Sequence, residues 1–155
     1  ARVLDLFAGT GALGLEALSR GAAGAVFIDE SGDAVHLIWK NIQSCGVEDR
    51  VQVLQGPAAT VLRRLAGKGC GADPFHVVFL DPPYGLGYVE KTMGLLSDLV
   101  SESGLVVAEH DRRDFPAERL KDWRLLDRRS YGDTMVSLYV RDTGAGVTNS
   151  VTNYS

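Results

Sequence analysis

The chain has 155 residues, close to the usual size of one domain, with 45% hydrophobic and 23% charged residues as in soluble globular proteins. This composition excludes a disordered chain, and no apolar run reaches the ~18 residues that a membrane span needs. A net charge of −4 excludes binding of nucleic acid through bulk positive charge, although a local basic patch is compatible with it. Two cysteines, Cys45 and Cys70, are too few for a disulfide framework or a zinc site, so we expect a reduced, cytoplasmic protein.

The two ends of the chain differ from its middle. Residues 1–8 form a strand pattern from almost the first position, so we expect that a segment preceding the domain is missing. Residues 142–155 are small and polar without periodicity, which predicts a flexible tail. We therefore expect one domain over residues 1–141, and a monomer.

Short apolar runs alternate with helical patterns along this domain. Helices are predicted after Gly11, behind a Ser31 cap, from Pro57 with Val61 and Leu62 buried, and over residues 89–100. The runs between them are too continuous for half-exposed strands and indicate a parallel sheet with helices on both faces: 3–7, 25–29, 51–54 and 77–80.

The last third of the chain breaks this alternation. A fifth strand is predicted at 105–108 after Gly104, and two further strands follow at 123–126 and 134–140. No crossover helix fits between these last two, so they form an antiparallel hairpin at the edge of the sheet. The pattern predicts an α/β domain with a doubly wound, mostly parallel sheet.

A glycine-rich loop follows the first strand. Gly9 and Gly11 allow a sharp turn and close approach of a ligand, and the next helix offers unpaired amides to an anion. Asp29, at the end of the second strand, can accept hydrogen bonds from two ribose hydroxyls. Asp5 lies before the loop, where a carboxylate suits the ammonium and sulfonium of S-adenosylmethionine better than a pyrophosphate.

A second motif, Asp81-Pro82-Pro83-Tyr84, follows the fourth strand. The prolines stiffen the loop and remove two backbone donors, so the Asp81 carboxylate and the Pro82 carbonyl remain as acceptors for an amine. Two acceptors aimed at an exocyclic base amine stabilise the positive charge that develops on its nitrogen during methyl transfer. Tyr84 offers a flat ring for stacking of the base. Both motifs lie at carboxyl ends of strands and so predict one cleft.

The segments VLDLFAGTGALGLEALSRGA, FIDES and VFLDPPY, in this order and spacing, resemble the class I S-adenosylmethionine-dependent methyltransferases. They are most similar to the bacterial enzymes of the RsmD type, which methylate guanine N2 in 16S ribosomal RNA. The resemblance covers residues 2–141 and implies a Rossmann-like methyltransferase fold with a seven-stranded sheet and an antiparallel C-terminal strand. It also implies that the partner is 16S ribosomal RNA or a small-subunit assembly intermediate.

The resemblance further implies roles for individual residues. Asp5, Gly9 and Gly11 would contact the methionine end of the cofactor and Asp29 its ribose. Asp81, Pro82, Pro83 and Tyr84 would form the catalytic loop at the target base. The remaining residues implied in cofactor binding are Phe7, Thr10, Glu30 and Ala58. Pro57 stands where related enzymes often carry a side chain for the adenine amino group.

Several alternatives stay open at this point. A DNA amino-methyltransferase would have the same cleft, and the glycine pattern also permits a nicotinamide-dependent oxidoreductase or an inactive cofactor-binding module. We expect no metal site, because His36, His76 and His110 lack the spacing of ligands. The interleaved charges of residues 111–129 fit either a solvated mixed-charge face or a rim that contacts phosphates.

Overall fold

Helices and strands alternate along most of the chain, as the sequence predicts. The structure is a computed structural model that describes residues 1–67, 74–83, 87–113 and 116–142. The predicted tail beyond Asp142 and Cys70 lie outside these ranges. The elements are β1 (Arg2–Leu6), α1 (Ala12–Ser19), β2 (Gly24–Asp29), α2 (Gly32–Cys45), β3 (Val51–Gln55), α3 (Ala58–Gly67), β4 (Phe75–Leu80), α4 (Tyr88–Met93), β5 (Val100–Asp111), β6 (Arg119–Leu120), β7 (Trp123–Tyr131) and β8 (Thr134–Arg141).

The strands of the described residues form a single sheet in the order β3-β2-β1-β4-β5-β8-β7-β6. Strands β1 to β5 are parallel, β8 runs antiparallel to β5, and β7 and β6 complete an antiparallel edge. The predicted doubly wound α/β fold and its antiparallel last strand are therefore confirmed. Within the described part of the chain the sheet has eight strands rather than the expected seven, because the two residues of β6 pair with the start of β7.

Apolar side chains cover both faces of the parallel half of the sheet. One cluster includes Phe27, Ile38 and Ile42, which join β2 to α2, and the other includes Val61 and Leu62 of α3. The α2 helix begins as predicted, since the Ser31 hydroxyl accepts a hydrogen bond from the Ala34 amide. Because helices cover both faces of the parallel part of the sheet, a ligand can reach it at the carboxyl ends of its strands.

The fourth helix and fifth strand differ from their predicted bounds. The helix expected over residues 89–100 ends at Met93, whose carbonyl accepts a hydrogen bond from Trp123 Nε1 at 3.1 Å. Short turns then lead to β5, which begins at Val100 and includes Gly104 at a shift in its pairing with β4. The apolar spacing of Leu96 and Val100 reflects burial in the core rather than a longer helix.

No helix in the described ranges is long and apolar enough to cross a membrane. Within the same ranges, no group of three or more histidine, cysteine, aspartate or glutamate side chains is arranged to hold a metal ion. His110 is instead buried, with Nε2 2.7 Å from the Ser137 hydroxyl.

Candidate active site

The glycine loop turns sharply between β1 and α1. Phe7, Gly9 and Gly11 all have positive φ angles, of 59°, 59° and 80°. A Cβ on Gly9 would meet nothing within 4 Å, whereas one on Gly11 would meet Phe27 and Ile38 at 3.4 to 3.5 Å. Gly11 therefore serves the backbone turn rather than ligand access, and the open approach expected at both glycines exists only beside Gly9.

Asp29 connects the two loops that follow β1 and β2. Its Oδ2 accepts a hydrogen bond from the Gly9 amide and its Oδ1 one from the Ser31 amide, both at 2.9 Å. Each carboxylate oxygen has a second lone pair, so the group keeps capacity for further donors from a ligand. Thr10 is held from the other side, where Asn41 Nδ2 donates to its carbonyl at 2.9 Å.

Asp5 is a buried carboxyl group beneath the glycine loop. Its side chain is 2% exposed, and Oδ2 accepts a hydrogen bond from the Gly14 amide at 2.9 Å. Burial raises the pKa of Asp5 to about 7, the Gly14 hydrogen bond opposes this rise, and the nearby charges of Asp81 and Asp29 add to it. Part of the Asp5 population is therefore protonated near neutral pH.

Gly14 is the point where α1 packs against the sheet. A Cβ at this position would lie 2.4 Å from Phe27 Cε1 and 3.2 Å from Asp5 Oδ2. We expect Gly14→Ala to lower the free energy of unfolding by about 1–3 kcal/mol, because α1 must move away from the ring. Urea denaturation measures this change, and Gly67→Ala is the control, since a Cβ there meets nothing within 4 Å. Equal stability of the two variants would contradict this account of the loop.

The second predicted motif lies at the end of β4. Asp81 and Pro83 are exposed and Pro82 is buried, while Tyr84 lies outside the described residues, so its stacking role stays a prediction. Although Asp81 is exposed as a residue, partial burial of its carboxyl group raises its pKa to about 6. The charge of Glu109 and a hydrogen bond between the two carboxyl groups are the next causes.

The sheet register gathers carboxyl groups on one face of this edge. Asp5 pairs with Phe27 on β2 and with Phe79 on β4, and paired residues share a face of the sheet. Asp29 and Asp81 each lie two residues beyond those partners, on the same face. Leu80 pairs with Ala108, so the next residues, Asp81 and Glu109, are also neighbours. Asp29, Asp81 and Glu109 therefore line up across the carboxyl edge, and Asp5 lies two residues further into the sheet on the same face.

A cleft of about 700 Å³ opens at this edge. It brings together seven of the predicted site residues: Phe7, Asp29, Glu30, Ala58, Asp81, Pro82 and Pro83. Four others do not line it, because they lie within the loop or beneath it: Asp5, Gly9, Thr10 and Gly11. The cleft therefore extends from Asp29, at the end of β2, to the Asp81 loop.

Sequence reasoning missed one wall of the cleft. Helix α4 contributes Tyr88, Lys91 and Thr92 to this wall, and the turn after the helix contributes Leu95. Five further residues complete the lining of the cleft: Ile28, Ser31, Gly56, Pro57 and Ala59. The Tyr88 ring meets Phe7 edge-on, with ring centroids 6.4 Å apart. The aromatic Tyr88, just before the expected helix start, was the available signal for this wall.

The basic residues after β5 are largely engaged within the fold. Arg113, Arg119 and Arg129 form salt bridges with Asp111, Asp142 and Asp127. Arg128 Nε donates to the Ser137 hydroxyl and Nη2 to the Pro116 carbonyl. These contacts favour the solvated mixed-charge face over a dedicated rim for phosphates.

The sheet is doubly wound with an antiparallel last strand, and a cleft opens at the ends of its first, second and fourth strands. This combination defines the Rossmann-like methyltransferase class. Residues 1–140 match the model of one family within it. The chain belongs to this family, described as Conserved hypothetical protein 95, and the resemblance seen in the sequence is confirmed.

Individual relatives agree with this assignment. Ribosomal RNA small subunit methyltransferase D of Escherichia coli strain K12 is 34% identical over 144 residues, which are 92% of this chain and 69% of that protein. A conserved hypothetical protein of Streptococcus pyogenes superposes with a TM-score of 0.81 at 34% identity, covering 91% of this chain and 86% of that one. A candidate methyltransferase complexed with S-adenosylhomocysteine (SAH) shares the fold, with a TM-score of 0.73 at 15% identity, covering 90% of this chain and 45% of that one.

Proposed function

We propose that this chain transfers a methyl group from S-adenosylmethionine to the exocyclic amine of a nucleic-acid base, N2 of guanine in 16S ribosomal RNA. The observation that carries this proposal is the single cleft that contains both Asp29 and the Asp81-Pro82-Pro83 loop. Residues 1–141 would form the catalytic domain. The protein would act in the cytoplasm on the RNA or on a small-subunit assembly intermediate.

The residues of the cleft fit a cationic nucleoside as cofactor. When bound, S-adenosylmethionine supplies an electrophilic methyl group on a positively charged sulfur. Asp5, Asp29, Asp81 and Glu109 give the edge a negative potential that favours such a ligand over a pyrophosphate. Asp29 would hold the ribose through its remaining lone pairs, and the open approach beside Gly9 suits the methionine end. Phe7, Thr10, Glu30 and Ala58 complete the proposed cofactor-binding residues, and Gly11 shapes the turn of the loop that contains Thr10.

The Asp81 loop supplies what a poor amine nucleophile needs. The Asp81 carboxylate would accept one hydrogen of the target amine, and the Pro82 carbonyl the other, which stabilises the charge developing on nitrogen. Phe7 and Tyr88 present aromatic rings to the same cleft, and they support a flat base as the substrate. An unpaired base enters such a cleft at a cost of a few kcal/mol, less than a paired one.

The identity of the substrate rests on the family. The Escherichia coli relative is named as a methyltransferase of small-subunit ribosomal RNA, and the similarity extends over 92% of this chain. This supports RNA over DNA as the substrate. It is also consistent with a site that accepts a splayed base rather than one that reads a duplex.

Cofactor choice is tested by isothermal titration calorimetry with S-adenosylmethionine, SAH and NAD in parallel. We expect binding of the first two and no detectable heat with NAD, because the acidic edge repels its pyrophosphate. Asp29→Ala should weaken the binding of both S-adenosylmethionine and SAH by at least about tenfold, as expected for loss of a charged hydrogen-bond acceptor. NAD binding without S-adenosylmethionine binding would refute the proposal in favour of an oxidoreductase.

Product analysis tests the substrate. The protein is incubated with S-adenosylmethionine and naked small-subunit RNA, partly assembled subunits or duplex DNA, and the product is digested to nucleosides for mass spectrometry. We expect N2-methylguanosine from the RNA samples and none from DNA. A methylated DNA adenine or cytosine amine would instead establish the DNA enzyme with the same cleft. A 5-methylcytosine product would overturn the amine mechanism itself.

A further inference from the structure

Glu109 stands beside the catalytic loop, but neither motif in the sequence includes it. It lies on β5, where Ala108 pairs with Leu80, so its side chain follows the sheet face that carries Asp81. The register therefore places Asp81 and Glu109 at adjacent positions on neighbouring strands, and the charge of Glu109 and a hydrogen bond with it contribute to the raised pKa of Asp81. A hydrogen bond between them forms when one of the two groups carries a proton, since two carboxylates offer acceptors alone; the fully ionised pair is the form that can take up a proton.

The end of β5 is held firmly around Glu109. Its backbone pairs with Val136 on β8, and the neighbouring His110 is buried on the opposite face with its Nε2 2.7 Å from the Ser137 hydroxyl. Asp111 accepts hydrogen bonds from Arg113. Glu109 is therefore carried by a fixed strand next to Asp81, which lines the cleft, while Glu109 itself is not one of the lining residues.

We propose that Glu109 is a positioning residue for methyl transfer: it forms a carboxyl pair with Asp81, and the pair takes up the proton that the methylated amine must lose. This inference rests on the proposed function. In the reaction, the nitrogen lone pair forms the new N–C bond while the S–C bond breaks and its electrons stay on sulfur. The nitrogen, now positive, releases one proton to Asp81, and Glu109 shares it through the hydrogen bond until water removes it.

The surroundings favour proton uptake by this pair. Asp5 on β1 and Asp29 after β2 add negative charge on the same face, and Asp111 on β5 is paired with Arg113. Among the described residues that line the cleft, Lys91 on α4 is the one with a positively charged side chain. His110 lies on the other face of β5, and the β8 partner of Glu109, Val136, is uncharged. Like charges side by side raise the affinity of the pair for one proton, as in other carboxyl pairs.

The first test uses the protein alone. Carbon-detected NMR follows the side-chain carboxyl signal of Asp81 during a pH titration of the full chain without cofactor or RNA. In the wild type, we expect the Asp81 signal to respond to a step near pH 6. Titration of Asp81 near pH 4 would overturn the proposal, whatever the protein methylates.

Substitutions then separate pairing from simple packing. Glu109→Gln removes the second acid with little change in shape, and the midpoint of Asp81 should fall by about one pH unit. Desolvation persists in this variant, so the midpoint stays above 3.8, the usual value for aspartate. Glu109→Asp keeps an acid on the strand and should restore part of the shift. Glu102→Gln, on the same strand but exposed and away from this edge, is the matched control and should leave the titration unchanged.

Kinetics supply a second readout once the wild type has given the expected product. In the wild type, kcat should fall below about pH 6, because a pair that already carries a proton cannot accept another. Glu109→Gln should lower kcat at pH 8 by about tenfold and move the acid limb about one unit lower. A lower kcat with an unmoved acid limb would show a structural role and overturn the inference. Absence of any methylated product from the wild type refutes the proposed function instead.

Discussion

Replacing Asp81 with alanine is expected to lower kcat by at least about 100-fold while the dissociation constant for S-adenosylmethionine changes less than about threefold. Asp81 is assigned to the target amine and Asp29 to the cofactor, so the loss should fall on the transition state. An acceptor that meets developing charge typically contributes a factor of this size. Single-turnover kinetics with RNA and calorimetry with cofactor measure the two quantities separately.

A matched control is available for this experiment. Asp98 is an exposed aspartate in the turns before β5, at the opposite edge of the sheet. Asp98→Ala should leave both kcat and cofactor affinity near their wild-type values. Near-normal turnover in Asp81→Ala would remove the catalytic loop from the mechanism. Equal losses of turnover and cofactor affinity would move Asp81 to the cofactor site.

The second large effect concerns stability. Asp5→Asn is expected to raise the free energy of unfolding at pH 8 by about 2 kcal/mol, because the wild type must keep a buried carboxylate there. The pKa of Asp5 is raised to about 7 in the folded protein from an ordinary value of 3.8. The folded state therefore binds this proton more tightly, and its stabilising effect is complete below about pH 4 and is lost as the pH rises towards 7.

Urea denaturation at several values between pH 4.5 and 8.5 measures this dependence. The stability of the wild type should decrease over this range, and Asp5→Asn should flatten the curve, leaving the smaller contribution of Asp81, whose pKa is raised in the same direction. Asp98→Asn should keep the wild-type slope. Parallel curves for Asp5→Asn and the wild type would show that Asp5 does not titrate in this range.

The same variant should bind S-adenosylmethionine about tenfold more weakly, since one negative charge is lost beneath a cationic ligand. Stability and ligand affinity would then change in opposite directions, as is common for residues kept for function. A variant that gained stability without losing affinity would show that Asp5 supports the loop alone, through its hydrogen bond to the Gly14 amide.

Local sequence signals predicted the parallel half of the molecule well. The strands from β1 to β4 are short apolar runs, and the Ser31 cap marks the start of α2. Each of these features depends on residues near in sequence. The two motifs were also predicted to share a cleft, because parallel strands present their carboxyl ends at one edge.

The features that sequence missed depend on contacts between distant residues. Helix α4 ends where Trp123, thirty positions away, donates to the Met93 carbonyl, and no local pattern contains that bond. Strand β6 has two residues, too few for any periodicity. Glu109 did carry a signal, since an acid directly follows the apolar run 105–108 at a strand's carboxyl end, as Asp29 and Asp81 follow theirs.

The two amide hydrogen bonds of Asp29 complicate the measurement of how much its direct contact contributes to cofactor binding. The carboxylate holds the loop after β1 and the loop after β2 at once, through Gly9 and Ser31. The affinity lost in Asp29→Ala therefore combines a missing ribose contact with the cost of reordering both loops, and the two contributions do not add independently. A cofactor analogue without the ribose hydroxyls, measured on the wild type and on Asp29→Ala, closes a thermodynamic cycle that isolates the direct contact.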